Sequence, residues 1–202
     1  MGGTHMKKLI CMLCLALVIC MSGCNKDKDD TNNDKEKDKI TIVENDVYTT
    51  PESPSDAQIL LFNALSEALE DEDDEEIANL VAENFVADFY TLKNKAGSED
   101  IGGLTYLPEA NRADFVTYAS VYAYGNYESI KQKYGTKHLP QVKEVEVTSS
   151  VSQDATYAGN VYDGFVVTVA LTFEKTKATD LPASIDVTVI DLDGTYRVIA
   201  AE

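Results

Sequence analysis

The sequence predicts an α+β fold in which three N-terminal helices pack on one face of a curved antiparallel sheet. Two observations predict it. Between residues 56 and 134 apolar side chains recur every three or four positions, the spacing of helices with one buried stripe. From Val145 onward they alternate one by one, the period of half-buried strands. Helices first and strands last segregate the two kinds of element, which places the helices together on one side of the sheet. Residues 55–202 are enough for one domain, and 44% hydrophobic content over the chain supplies a core.

The first helix starts near Ser53-Pro54, an N-cap followed by a proline at the first helical position, or at Ser55, which makes a capping box with Gln58. Leu61, Phe62, Leu65, Ala68 and Leu69 form its buried stripe. Residues 70–76, EDEDDEE, are all acidic. Acids oppose the dipole at a helix C-terminus and favour it in a first turn, so the run marks one helix ending and another starting near Asp73 or Asp74. It lacks the glycine turn and alternating ligands of an EF-hand loop, so it reads as a solvated junction and no metal is expected.

Ile77, Leu80, Val81, Phe85 and Phe89 carry the second helix to about Leu92. Gly97, Gly102 and Gly103 then break the pattern, with Leu104 to Leu107 as a short strand. Pro108 suits the first position of a third helix, whose inner face is Phe115, Tyr118, Ala119 and Tyr122. Gly125 interrupts that helix, Ile130 and Tyr134 continue or restart it, and Gly135 caps it.

In the sheet, Val145 and Val147 begin one strand, and Phe165, Val167, Val169, Leu171 and Phe173 make the clearest one. Ile185, Val187 and Val189 keep the same period. Asp193-Gly194 is a two-residue hairpin signal that pairs Leu192 with Thr195, Asp191 with Tyr196 and Val189 with Val198. That register sets Ile185, Val187, Val189, Tyr196, Val198 and Ala200 on one face, opposite Asp186, Thr188 and Arg197.

Upstream of the domain, Lys7 and Lys8 precede thirteen residues, Leu9 to Met21, without a charge. As a helix these rise about 20 Å, too short for a bilayer core of roughly 30 Å, so residues 1–23 read as a cleaved export signal. Ser22-Gly23 are small, and Cys24 is the one cysteine of four in a cleavable context. The run Val18-Ile19-Cys20-Met21-Ser22-Gly23-Cys24 resembles the bacterial lipoprotein box, with Met21 where that family usually has Leu. The resemblance implies a diacylated Cys24, a cut just before it, and lodging on the extracytoplasmic side of the cell membrane. Two acyl chains anchor durably. With Cys24 used as the anchor, no cysteine remains for an intramolecular disulfide.

The whole chain has 17 Lys+Arg against 35 Asp+Glu. Loss of residues 1–23 removes two lysines and no acid, leaving 15 against 35, a net charge of −20. A field of that sign disfavours nucleic acid as a partner. Residues 25–39 contain no apolar side chain and cannot offset the entropy of ordering. Residues 24–54 are therefore a charged tether, about 30 Å in root-mean-square span. Ile40 to Val43 could stay extended or add an edge strand.

The order of elements over residues 55–202 resembles the NTF2-like cone fold. Segments 84–90, NFVADFY, and 100–104, DIGGL, also look like those of uncharacterised lipoproteins of Gram-positive bacteria. The mature chain would have a single histidine, His138, and no Gly-x-Ser-x-Gly elbow, so neither a nucleophilic triad nor a zinc set is expected. No cofactor is expected either, and there is no catalytic set to name. The resemblance to the cone implies a cavity, in which Asp191, Tyr196, Tyr118 and Tyr122 would supply the Asp and Tyr types of an isomerase or hydratase. Arg112 is the other candidate, as an anion anchor near a pocket mouth. Non-catalytic binding of an envelope protein or small ligand is the main expectation, and the isomerase-type enzyme is its alternative.

Overall fold

Reciprocal hydrogen bonds start the first helix. The Ser55 amide donates to Gln58 Oε1 at 3.0 Å, and the Gln58 amide to Ser55 Oγ at 3.3 Å. This capping box sets α1, Asp56–Asp71. The computed structural model describes residues 40–71 and 73–202; the export segment, Cys24 and the tether through residue 39 lie outside the described residues. The acidic junction behaves as its charges require. Asp73 caps α2, Asp74–Tyr90, accepting the Glu76 amide at 3.0 Å, and three acids fill the first turn.

Among the described residues four α-helices form, not three. Chain direction breaks between α3, Glu109–Tyr122, and α4, Tyr127–Tyr134. At Gly125 an added Cβ would sit 2.3 Å from the Val121 carbonyl oxygen, so this corner admits only glycine without moving backbone. The expected strand at Leu104 to Leu107 is instead a single 3₁₀ turn, Leu104–Tyr106. Gly103 before it has φ 81°. That left-handed conformation turns the chain where a strand would have run on.

The main sheet holds β1, Val142–Ser152, β4, Gly164–Phe173, β5, Ser184–Asp191, and β6, Tyr196–Ala201, in the order β1-β4-β5-β6. Every pairing is antiparallel. Between β1 and β4 a separate ribbon is inserted, β2, Ala155–Tyr157, and β3, Asn160–Tyr162. The Asp193-Gly194 hairpin forms as its sequence requires, with φ of 57° and 82° at the two turn residues. Asp191 pairs with Tyr196, and Val189 with Val198. Beyond these a bulge shifts the register, so Ala200 pairs with Thr188 and leaves the face that holds Val187 and Val189.

The core lies between α2 and the sheet. α2 touches α1 and all four strands, and Val81, Phe85, Val167, Val187, Val189 and Val198 are buried there. Truncating one such valine to alanine would cost about 2 kcal/mol. Residues 40–49, expected in the tether, lie on the domain without forming a strand and bend at residues 46–48, where Asn45 Oδ1 accepts the Val47 and Tyr48 amides. The Val43 amide donates to Asn63 Oδ1 at 2.7 Å, and Asn63 Nδ2 to the Thr41 carbonyl at 2.9 Å. An α1 side chain thus supplies the pairing that a strand neighbour would have given. Tyr48 anchors the far end, buried, with its hydroxyl on the Tyr196 carbonyl at 2.8 Å.

Candidate functional site

The last turn of α2, the corner between α3 and α4, and the loop after β4 meet around one open cleft. Each wall has a polar fastening. Tyr124, fully buried at the corner, donates its hydroxyl to the Phe89 carbonyl at 2.6 Å and accepts the Gly102 amide at 3.2 Å. Burial holds its phenol far above the ordinary range. Tyr127 donates to the Lys95 carbonyl at 2.6 Å. The loop after β4 is held by Thr176 Oγ1 and the Lys177 amide, both donating to the His138 carbonyl, at 2.7 and 3.0 Å.

The cleft has a volume of about 530 Å³. Tyr90, Tyr122 and Tyr127 supply aromatic surface, and Asn126, Ser129 and Thr179 supply amide and hydroxyl groups. Lys177 and Asp180 put one charge of each sign in its wall. Beside it on α3, Tyr118 and Tyr122 are 60% and 75% exposed, with ring centroids 4.7 Å apart. Among the described residues neither of their hydroxyls has a protein hydrogen-bond partner. Burial raises the pKa of Tyr90, and neighbouring Tyr118 raises it further.

The expected inner face of the third helix is half right. Ala119 is buried and Phe115 packs on the core, 5.3 Å from the Phe89 ring, but Tyr118 and Tyr122 point outward. Helical spacing alone does not say which side a neighbouring helix covers.

Asp191 and Tyr196 lie in a different cleft, of about 470 Å³, together with Tyr48 and Asp74. Asp74 begins α2 and Tyr90 ends it, so the two clefts stand roughly 24 Å apart along that helix. The structure therefore does not bring Asp191 and Tyr196 together with Tyr118 and Tyr122. Asp191 is occupied by its turn, accepting the Gly194 amide at 2.7 Å. The Tyr196 phenol is shifted upward by burial and by its hydrogen bond to Asp74.

Arg112 serves the 3₁₀ turn. Its Nε and Nη2 donate to the Leu107 carbonyl, each at 3.3 Å, and Nη2 also reaches the Thr105 carbonyl at 3.5 Å. Arg197, the only other arginine, donates to the same Thr105 carbonyl and lies over the Tyr48 ring. Its pKa is lowered by burial and by nearby Arg112. Both guanidinium groups clamp backbone, and neither lines the tyrosine cleft.

Sequence reasoning missed Tyr90, Asn126, Tyr127 and Lys177 as lining residues. A signal was there: residues 118–134 hold five of the chain's eleven tyrosines, more than one buried helix face can absorb. Among the described residues no group of three or more His, Cys, Asp or Glu is placed to hold a metal ion. No described helix is long and apolar enough to cross a membrane. No family model matches this chain, and neither curated proteins nor solved structures provide a match.

Proposed function

We propose that this chain is a lipid-anchored, extracytoplasmic lipoprotein whose domain binds an envelope protein or small ligand without catalysis, at the tyrosine cleft. One observation carries the binding reading: Tyr118 and Tyr122 expose large aromatic surface next to a polar-rimmed cleft and, among the described residues, have no hydrogen-bond partner for their hydroxyls. Exposed aromatic groups beside a concave, partly polar site are the usual material of ligand recognition. Kinship with the NTF2-like cone is part of the proposal, supported by helices preceding an antiparallel sheet. The alternative of an isomerase or hydratase loses support from geometry: Asp191 and Tyr196 share a cleft, but Asp191 accepts the Gly194 amide and the Tyr196 phenol is hydrogen-bonded to Asp74, while Tyr118 and Tyr122 stand elsewhere.

The anchor rests on the small residues Ser22-Gly23 before Cys24 and the uncharged segment before them. Its test is Cys24→Ser. Incorporation of labelled palmitate should be lost, and chain cut from its export signal should move from the membrane pellet to the soluble fraction, since no acyl chain then holds it. Palmitate incorporation equal to that of the native chain sinks the anchor.

A further inference from the structure

Charge is distributed unevenly over this acidic domain. Residues 40–202 carry 10 basic and 29 acidic side chains. Within residues 123–144 and 174–183 there are six lysines against four carboxylates, a net of +2; the remainder holds four basic against 25 acidic groups, a net of −21. The fold joins these two stretches. Glu174 and Lys177 donate backbone hydrogen bonds to Gln141 and His138, and the ammonium groups of Lys133 and Lys177 lie 5.0 and 5.7 Å from the centre of the same ring, Tyr134. Among the described residues neither lysine has a carboxylate within ion-pair distance; the ion pairs there are Lys95 with Asp88 and Lys131 with Glu128. Two like charges share one ring, and one of them, Lys177, lines the tyrosine cleft.

We propose that the cleft binds an anionic glycan, a sugar strand bearing carboxylate or phosphate groups. This rests on the cleft being the ligand site. A sugar ring offers a face of C–H bonds, which suits the electron-rich faces of Tyr118 and Tyr122. Its hydroxyls match Asn126, Ser129 and Thr179, which both donate and accept. The ligand's negative groups complete the coordination that Lys133 and Lys177 lack. The acidic start of α2 is roughly 24 Å away, two or three screening lengths at physiological salt, so it does not cancel the lysines locally. Glu128, Glu144, Glu174 and Asp180 lie in the same lysine-bearing stretches. They favour a strand with spaced charges and disfavour the dense phosphates of nucleic acid.

The experiment is calorimetric titration of the full chain with a hyaluronan oligosaccharide, which bears a carboxylate on alternate rings, and with its uncharged methyl ester. Hyaluronan should bind, weaken several-fold between 50 and 200 mM salt, and bind about tenfold more weakly to the double variant Lys133→Gln/Lys177→Gln. Both lysines are exposed, so this variant keeps its fold. Tyr122→Ser should weaken the acid and the ester alike. Equal binding of acid and ester, still dependent on Tyr122, overturns the anionic reading and leaves the cleft standing as a ligand site. No binding at about 1 mM overturns the glycan proposal alone, and sugar binding indifferent to all three residues overturns the cleft as the ligand site as well. Tighter binding of a single-stranded oligonucleotide or of anionic phospholipid vesicles overturns the sugar assignment.

Discussion

Two neighbouring regions at the C-terminal end of α2 are built from the same residue types and behave oppositely. Around Asp88 the groups are closed on one another. Its Oδ1 accepts Lys95 Nζ at 2.6 Å and Gln58 Nε2 at 3.0 Å, and its Oδ2 accepts the Gly103 amide at 2.6 Å. Nearby, the tyrosine cleft also has Asp, Lys, Asn and Tyr, yet Tyr118, Tyr122 and Lys177, with Lys133 beside the same Tyr134 ring as Lys177, stay exposed and without such partners among the described residues. The difference teaches where to look for function. Composition does not distinguish a structural polar cluster from a binding one; what does is whether the donors and acceptors are already satisfied within the chain.

The most severe way to break the comparison is to open the closed side. The side chains of Asp88 and Lys95 are 14% and 6% exposed. Asp88→Ala strands a buried ammonium and frees the Gly103 amide, and should cost about 3 kcal/mol in denaturant unfolding. Close approach to α2 explains the paired glycines. A Cβ at Gly102 would sit 2.2 Å from the Asp88 carbonyl oxygen, and one at Gly103 would sit 2.8 Å from the Phe85 ring. A loss below about 1 kcal/mol would mean that the network is ornamental, and the contrast with the cleft would fail.

An intermediate case sharpens it. Glu83 on α2 accepts the Val147 amide at 3.2 Å, and its pKa is raised to about 7, first by burial and then by Glu146, against the lowering by that hydrogen bond. The native state thus holds a proton that the unfolded chain, titrating near 4.5, releases earlier. The resulting stability is fully present below about pH 4.5 and is lost as pH rises through about 7. Allowing for its partial exposure, the loss is about 2 kcal/mol. Glu83→Gln should remove it. Subtracting the variant's stability from the native one between pH 4.5 and 7.5 isolates the effect, and a flat difference would show that Glu83 is solvated like any surface acid.

How much of this was legible in the sequence follows local chemistry. The Ser55 and Gln58 box, the Asp73 cap and the Asp193-Gly194 hairpin each depend on residues a few positions apart, and each forms where its residues require. The ribbon β2 to β3 turns at Ala158-Gly159 with φ of 50° and 84°, but Ala carries no left-handed preference and leaves no such sign. The outward turn of Tyr118 and Tyr122 depends on which side of α3 meets α2, and Phe115 and Ala119 at the same spacing compete for that side. Arg112 and Arg197 stand 85 positions apart, so their meeting at Thr105 is a property of the fold alone.

The smallest expected effect falls on the open side. Tyr118→Ser with Tyr122→Ser keeps helix propensity nearly constant, because the two residue types rank together. Both rings are mostly solvated, so what the double variant loses is their mutual contact at 4.7 Å, about 0.5 to 1 kcal/mol. Unfolding stability should therefore change by no more than that, a third of the Asp88 effect or less. A loss of about 2 kcal/mol or more would mean that these rings hold α3 in place. They would then belong with Asp88 as structure, and the argument that unsatisfied groups mark the ligand cleft would lose its two main residues.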